Sequence, residues 1–166
     1  MRISILGGSG FLGTNLSKAL HEENISFNIF DIEKSKFFPE KTTVGSICSI
    51  EDLKKISDSN ILINLAAVHR DDVSPKSLYD EVNVNGSKKV CEYAKENNIN
   101  HIIFTSSVAI YGFAEPDTGE DGEINYFNDY GRTKYLAEQE YINWYSEDPQ
   151  NRTITIIRPT VIFGEG

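Results

Sequence analysis

A chain of 166 residues with 39% apolar content can bury one core, and its formal net charge of −9, with no long run of Lys or Arg, repels a phosphate backbone and excludes nucleic acid as a partner. The first residues hold one Arg and a short apolar run broken by glycine, neither a signal peptide nor the roughly 20 apolar residues that span a bilayer. A cytoplasmic protein with no membrane contact is expected. Residues 2–6 form a predicted strand, after which Leu12, Leu16, Ala19 and Leu20 recur at helical spacing. Further strands are predicted over 26–31, 42–46 and 60–66. Ser74-Pro75 then has the form of an N-cap with Pro at the first helical position, and Leu78, Val82, Val90 and Ala94 carry a helix toward Asn97-Asn98. A strand over 101–105, a helix over 128–147 and a strand over 153–158 complete the series. Between them, residues 112–128 form a loop with five acids and no base. Strands alternating with helices predict an α/β fold, a doubly wound parallel sheet covered on both faces. Cys48 and Cys91 lie far apart without metal-ligand spacing, so reduced packing residues and no metal site are expected.

Four glycines crowd the stretch Ile5-Leu-Gly-Gly-Ser-Gly-Phe-Leu-Gly13, between the first strand and the first helix. There, backbone amides and the positive end of the helix dipole face an anion such as a diphosphate. The stretch fits both Gly8-x-Gly10-x-x-Gly13 and the narrower Gly7-x-x-Gly10-x-x-Gly13. Asp31 ends the second strand, where a carboxylate accepts hydrogen bonds from an adenosine ribose or serves simply as a turn residue. It favours NAD over NADP, since a 2′-phosphate would meet its charge, although Lys34 and Lys36 stand nearby. A P-loop is excluded, because Gly8-x-x-x-x-Gly13 is followed by Thr14-Asn15 and lacks the lysine.

Tyr130 and Lys134 are four apart on a predicted helix, which puts phenol and ammonium on one face. Thr105-Ser106-Ser107 closes the preceding strand at the edge where open α/β sheets bind ligands. His69-Arg70, after the fourth strand, faces the same edge. Arg70 there meets a sugar diphosphate and His69 a hydroxyl, or both are a solvated loop pair beside Asp71-Asp72.

Taken in order, Gly7-x-x-Gly10-x-x-Gly13, Asn64-Leu65-Ala66-Ala67, Asn83-Val84-x-Gly86, Ser106-Ser107-Val108-Ala109-Ile110-Tyr111-Gly112, Tyr130-Gly-Arg-Thr-Lys134 and Arg158-Pro159-Thr-Val-Ile-Phe-Gly164 resemble the extended short-chain dehydrogenase/reductases. Within them the chain is similar to the NAD-dependent epimerase/dehydratase branch that acts on nucleotide sugars. The resemblance implies a Rossmann fold with strand order 3-2-1-4-5-6 over residues 1–166. It also implies a substrate-binding lobe that relatives carry beyond this stretch. Ser107 is by resemblance the serine that hydrogen-bonds the reacting oxygen, Tyr130 the acid/base, and Lys134 the partner that holds a ribose and supplies charge. The implied NAD contacts are Gly7, Gly10, Phe11, Leu12, Gly13, Asp31, Ser46, Ile47, Leu65, Ala66, Ala67, Asn83, Tyr130, Lys134 and Pro159, with His69, Arg70 and Ser107 toward substrate. Asn83 is further implied to tie the active-site strand in place. Helices 75–97 and 128–147 resemble those that pair subunits, so a homodimer is expected.

Two departures from the family pattern bear on the chemistry. Many relatives place an adenine-binding Asp after the third strand, whereas Gly45 is followed here by Ser46-Ile47, so adenine is held more weakly or by other groups. Dehydratases of the branch carry Asp-Glu where Val108-Ala109 stands, and two aliphatic side chains perform no acid/base work. Epimerisation or keto/alcohol redox of a nucleotide sugar remains. A reductase of a non-sugar ketone, such as a hydroxysteroid-type substrate, and a non-catalytic dinucleotide-binding module are the alternatives. To act as a base near neutrality, Tyr130 must gain about 4 kcal/mol in favour of its anion. An ammonium about 4 Å away supplies that at an effective dielectric near 20, and NAD⁺ adds to it.

Overall fold

The computed structural model describes residues 2–70 and 72–164. Six strands, β1 (Ile3–Leu6), β2 (Phe27–Asp31), β3 (Thr42–Val44), β4 (Ile61–Asn64), β5 (His101–Thr105) and β6 (Thr153–Ile157), form one parallel sheet in the order β3-β2-β1-β4-β5-β6. The expected strand order is the one found. β1 lies at the centre with all four residues buried, Ile5 paired to Ile29 on one side and to Ile63 on the other. Because parallel strands bury both faces, alternate residues feed two cores. On one face Leu6, Phe30, Leu62, Ile102 and Phe104 meet Val90, Tyr93 and Ala94 of α3 (Gly86–Glu96) and Ala137, Tyr141 and Trp144 of α4 (Asp129–Ser146). On the other, Ile3, Ile5, Phe27, Ile29 and Ile63 pack with Leu16 and Leu20 of α1 (Phe11–Glu22). α4 is pinned to the sheet where Asn64 Nδ2 donates to the buried Tyr141 hydroxyl at 2.6 Å.

Several boundaries differ from the sequence expectation for local reasons. Asn64 Oδ1 accepts the Ala66 N–H at 3.0 Å, so a side chain replaces the ladder and β4 stops at Asn64 rather than at 66. β3 stops at Val44, two residues before the Ser46 N–H donates to the Asp52 carboxylate at 3.0 Å. Ser74 does not cap a helix at Pro75. The Ser74–Pro75 peptide is cis, and the Pro75 carbonyl accepts Leu78 N–H in a three-residue turn. The helix begins near residue 77, is π-helical over Tyr79–Asn85, and only then becomes α3. A short helix, α2 (Ile50–Leu53), adds to the expected set, with Ser49 accepting Asp52 N–H at 3.2 Å. Among the described residues no helix is long and apolar enough to cross a membrane.

Candidate functional site

The carboxyl ends of β1, β2, β4 and β5 open onto a cleft of 820 Å³, and its floor is the glycine turn. Gly7 takes φ +76°, and a Cβ there would lie 2.6 Å from Ala66 N. A Cβ on Gly13 would strike the Gly8 backbone, so this glycine lets α1 close on β1. Gly10 differs: the nearest atom to its Cβ position is Gly7 O at 3.7 Å, an ordinary contact. Nothing among the described residues requires Gly10 to be bare, which leaves the cleft as the reason. Gly10 is also the uncapped N-cap of α1, so the N–H groups behind it, at Phe11, Leu12 and Gly13 on the cleft wall, stand ready for an anion.

Asp31 holds this floor together. Its carboxylate accepts Ser9 N–H at 2.9 Å and Glu33 N–H at 3.1 Å, and Ser9 Oγ donates to the Glu33 carbonyl at 2.7 Å. Turn residue and ribose acceptor are therefore compatible roles, since each carboxylate oxygen keeps a free lone pair. Asp31→Ala is expected to lower the preference for NADH over NADPH about tenfold and to cost about 1–2 kcal/mol of stability, because two backbone donors lose their acceptor. Calorimetric titration with both cofactors, beside a thermal melt, measures the two effects separately.

Ser46, Ile47, Leu65, Ala66, Ala67, His69 and Pro159 also line the cleft. Two predicted residues do not. Arg70 is exposed and turned onto Asp72 through two bonds of 3.1 and 2.9 Å, so its guanidinium is spent locally; Asp71 lies outside the described residues. Asn83 is buried behind the wall. Its Oδ1 accepts Val68 N–H at 2.8 Å, and its Nδ2 donates to Val68 O at 2.9 Å and Thr133 Oγ1 at 3.0 Å, which supports the wall without facing the cleft. Thr105 and Ser106, read from the sequence as closing a strand at the ligand edge, line the cleft, and Ser9, Val68, Thr160 and Ile162 line it without having been singled out. For Ser9 the signal was its place inside the glycine turn.

Ser107 caps the 3₁₀ turn Val108–Tyr111, its Oγ accepting Ala109 N–H at 3.1 Å. That leaves its hydroxyl hydrogen free to donate into the cleft. Tyr130 and Lys134 come from successive turns of α4, which starts where Asn128 Oδ1 accepts Gly131 N–H at 2.8 Å. Lys134 is 2% exposed, with Nζ 4.4 Å from the centre of the Phe104 ring. Burial pushes this amine down to about 7, against an upward pull from Glu138. Burial also pushes the Tyr130 phenol above its ordinary value, with the Ser107 side chain opposing. Desolvation is thus the largest influence on both groups, and it works against the anion that Tyr130 needs as a base.

Three features test whether a dinucleotide suits these walls. Lys134 Nζ has no hydrogen-bond acceptor among the described residues, Ser106 Oγ is buried without a partner at the end of β5, and the first-turn amides of α1 face open space behind Gly10. Ribose hydroxyls and a diphosphate supply the acceptors these donors lack, so the residues fit such a group.

Residues 3–166 match the NAD dependent epimerase/dehydratase family. The chain is 43% identical to an N-acetyl-alpha-D-glucosaminyl-diphospho-ditrans,octacis-undecaprenol 4-epimerase of Escherichia coli O157:H7, over 98% of this chain and 49% of that protein. It is 31% identical to the human decarboxylating sterol-4-alpha-carboxylate 3-dehydrogenase, over 98% of this chain and 45% of that one. In fold it is similar to the Bifidobacterium longum UDP-glucose 4-epimerase solved with NAD+ and UDP, with a TM-score of 0.87, 21% identity, and coverage of 95% of this chain and 52% of the other. The chain spans about half the length of the curated relatives it matches.

Proposed function

The chain belongs to the NAD dependent epimerase/dehydratase family, and from that premise we propose that it is the cofactor-holding part of an NAD-dependent epimerase of a diphosphate-linked sugar, a nucleotide sugar in the first instance. The observation that carries this reading is the single cleft shared by the glycine turn, Asp31, Ser107, Tyr130 and Lys134. In it, the amides behind Gly10 hold the diphosphate, Asp31 the adenosine ribose, and Lys134 with Tyr130 the second ribose. When bound, NAD supplies the hydride acceptor. Tyr130 takes the proton from the sugar hydroxyl as its carbon is oxidised, and the Ser107 hydroxyl donates to the same oxygen as it becomes a carbonyl. Return of the hydride by the bound cofactor to the opposite face of that carbon would invert the centre. Val108 and Ala109 bring no acid or base to the neighbouring carbons, which disfavours dehydration.

Substrate contacts from outside these residues complete the site in this proposal, as does pairing of two copies through α3 and α4. The outer surfaces of those helices carry Lys95–Glu147 at 2.6 Å and Lys88–Glu140 at 3.8 Å, so pairing there is polar. The human relative, named for a sterol, favours a second reading in which a non-sugar alcohol is oxidised.

One assay separates the readings. The 166-residue chain alone is expected to bind NADH but to turn over nothing. Joined to the remaining half of the E. coli relative, it is expected to epimerise a UDP-sugar or an undecaprenyl-diphosphate-linked sugar with no net NADH. Net NADH from a 3-hydroxysterol instead establishes the second reading, and NADH binding with no turnover by the joined protein leaves a non-catalytic dinucleotide-binding module.

A further inference from the structure

Glu138 follows Lys134 by one helical turn on the same face of α4, and it is fully buried. A carboxylate is rarely taken out of water without a partner. Its partner is Arg158, just beyond β6, which clasps both oxygens at 2.9 and 2.8 Å. The same guanidinium reaches further. It donates to the Tyr111 hydroxyl at 2.5 Å and to the Glu120 carbonyl at 2.7 Å, and Tyr111 itself donates to that carbonyl at 2.9 Å. One ion pair, its carboxylate buried and its guanidinium partly exposed, therefore ties together the helix bearing Tyr130 and Lys134, the turn begun by Ser107, and the acidic loop.

We propose that Glu138, oriented by Arg158, is a positioning residue of the site that sets how much charge Lys134 carries. This rests on the reading of Lys134 as the cofactor-side amine, but it concerns the amine itself. Among the described residues, α4 contributes Tyr130, which lines the same cleft, and Glu138, whose charge acts on the amine; Arg158, from the segment after β6, is held by Glu138. β5 presents the apolar Phe104 ring. On the π-helical stretch Asp80 is closed onto Arg132 at 2.6 Å, and α3 spends Lys88 and Lys95 on Glu140 and Glu147 farther along α4. Glu138 is thus the anion placed to oppose desolvation of Lys134. The two-pronged clasp weakens its field without abolishing it, which holds the amine near the neutral range instead of leaving it wholly uncharged or wholly cationic.

The test titrates Lys134 directly, by carbon-13 resonances of labelled lysine side chains in the cofactor-free chain, so no substrate is involved. Glu138→Gln keeps the shape and removes the charge, and it is expected to move the Lys134 midpoint down by about one pH unit. Glu138→Asp keeps the charge and should restore most of that shift. A purely structural pair predicts the same midpoint in all folded variants, and this result overturns the proposal. If Glu138→Gln does not fold, Arg158→Lys is measured instead. Its single-ended contact leaves the carboxylate less neutralised, so the midpoint must rise, and an unmoved midpoint again overturns the proposal. Failure of NADH binding with the expected titration shifts would overturn the cofactor reading alone.

Discussion

Lys134→Met is expected to make the ligand-free chain more stable while removing its use as an enzyme. The amine sits at about 7 in the folded state, against about 10.4 for an unburdened lysine. Because the folded pKa is depressed, the unfolded chain binds the extra proton between those values, and stability rises with pH across that window. The penalty for burying Lys134 is therefore complete below pH 7, shrinks as pH rises, and vanishes above the unfolded pKa. Methionine over the Phe104 ring carries no such penalty and packs well against an aromatic face. The gain is expected to reach up to about 4–5 kcal/mol in acid and to fade in alkali. Thermal melts of both chains at about pH 6 and about pH 10 measure it. NADH affinity should fall at least about tenfold, since the ribose loses its amine partner. A variant destabilised at every pH would refute the desolvation account.

Gly10→Ala and Gly13→Ala are expected to fail in opposite ways, although the two glycines are three residues apart in one motif. An added methyl at Gly10 meets only Gly7 O at 3.7 Å, so the fold should lose less than about 1 kcal/mol. That methyl points where a diphosphate would approach, and NADH binding should weaken on the order of 100-fold. At Gly13 the methyl collides with Gly8 backbone, which cannot yield as a side chain can. The loss there is expected to be about 3–5 kcal/mol of stability. Melting temperature and NADH titration, both run on each variant, give the double dissociation. A Gly10→Ala chain that binds NADH normally would remove the diphosphate from this place.

The strands and the glycine turn were legible because they depend on local chemistry: apolar runs, a turn that needs φ above zero, and a helix start with no capping side chain; the strand order came with the family resemblance. Asn64 and Asp52 show where such reading stops. Each ends a strand early through one side-chain acceptor, and nothing in a run of apolar letters marks that. Ser49-x-x-Asp52 was a legible cap that a short helix made easy to pass over. The π-helical turns of Tyr79–Asn85 were not legible, since a helical apolar pattern over seven residues does not distinguish two pitches. Arg70 faced the right edge in sequence but had Asp72 two residues away to satisfy it. The state of Lys134 lay beyond the letters altogether, because it is set by burial and by Glu138.

The position of β1 also governs when the site comes into being. Its neighbour β2 arrives once the crossover through α1 is made, but Ile3 must wait for Ile61, 58 residues later in the chain, before its other edge is paired. Gly7 reaches its conformation against the Ala66 backbone, which arrives with β4. Tyr130 and Lys134 follow later still, on a helix that docks with Lys134 over Phe104 and Tyr141 against Asn64. Such distant pairings carry a loop-closure cost before they are rewarded, and they fold slowly. On the ribosome, a chain emerging from its N-terminus therefore shows the glycine turn long before it has a cradle, and cofactor capture reports the end of folding rather than its beginning.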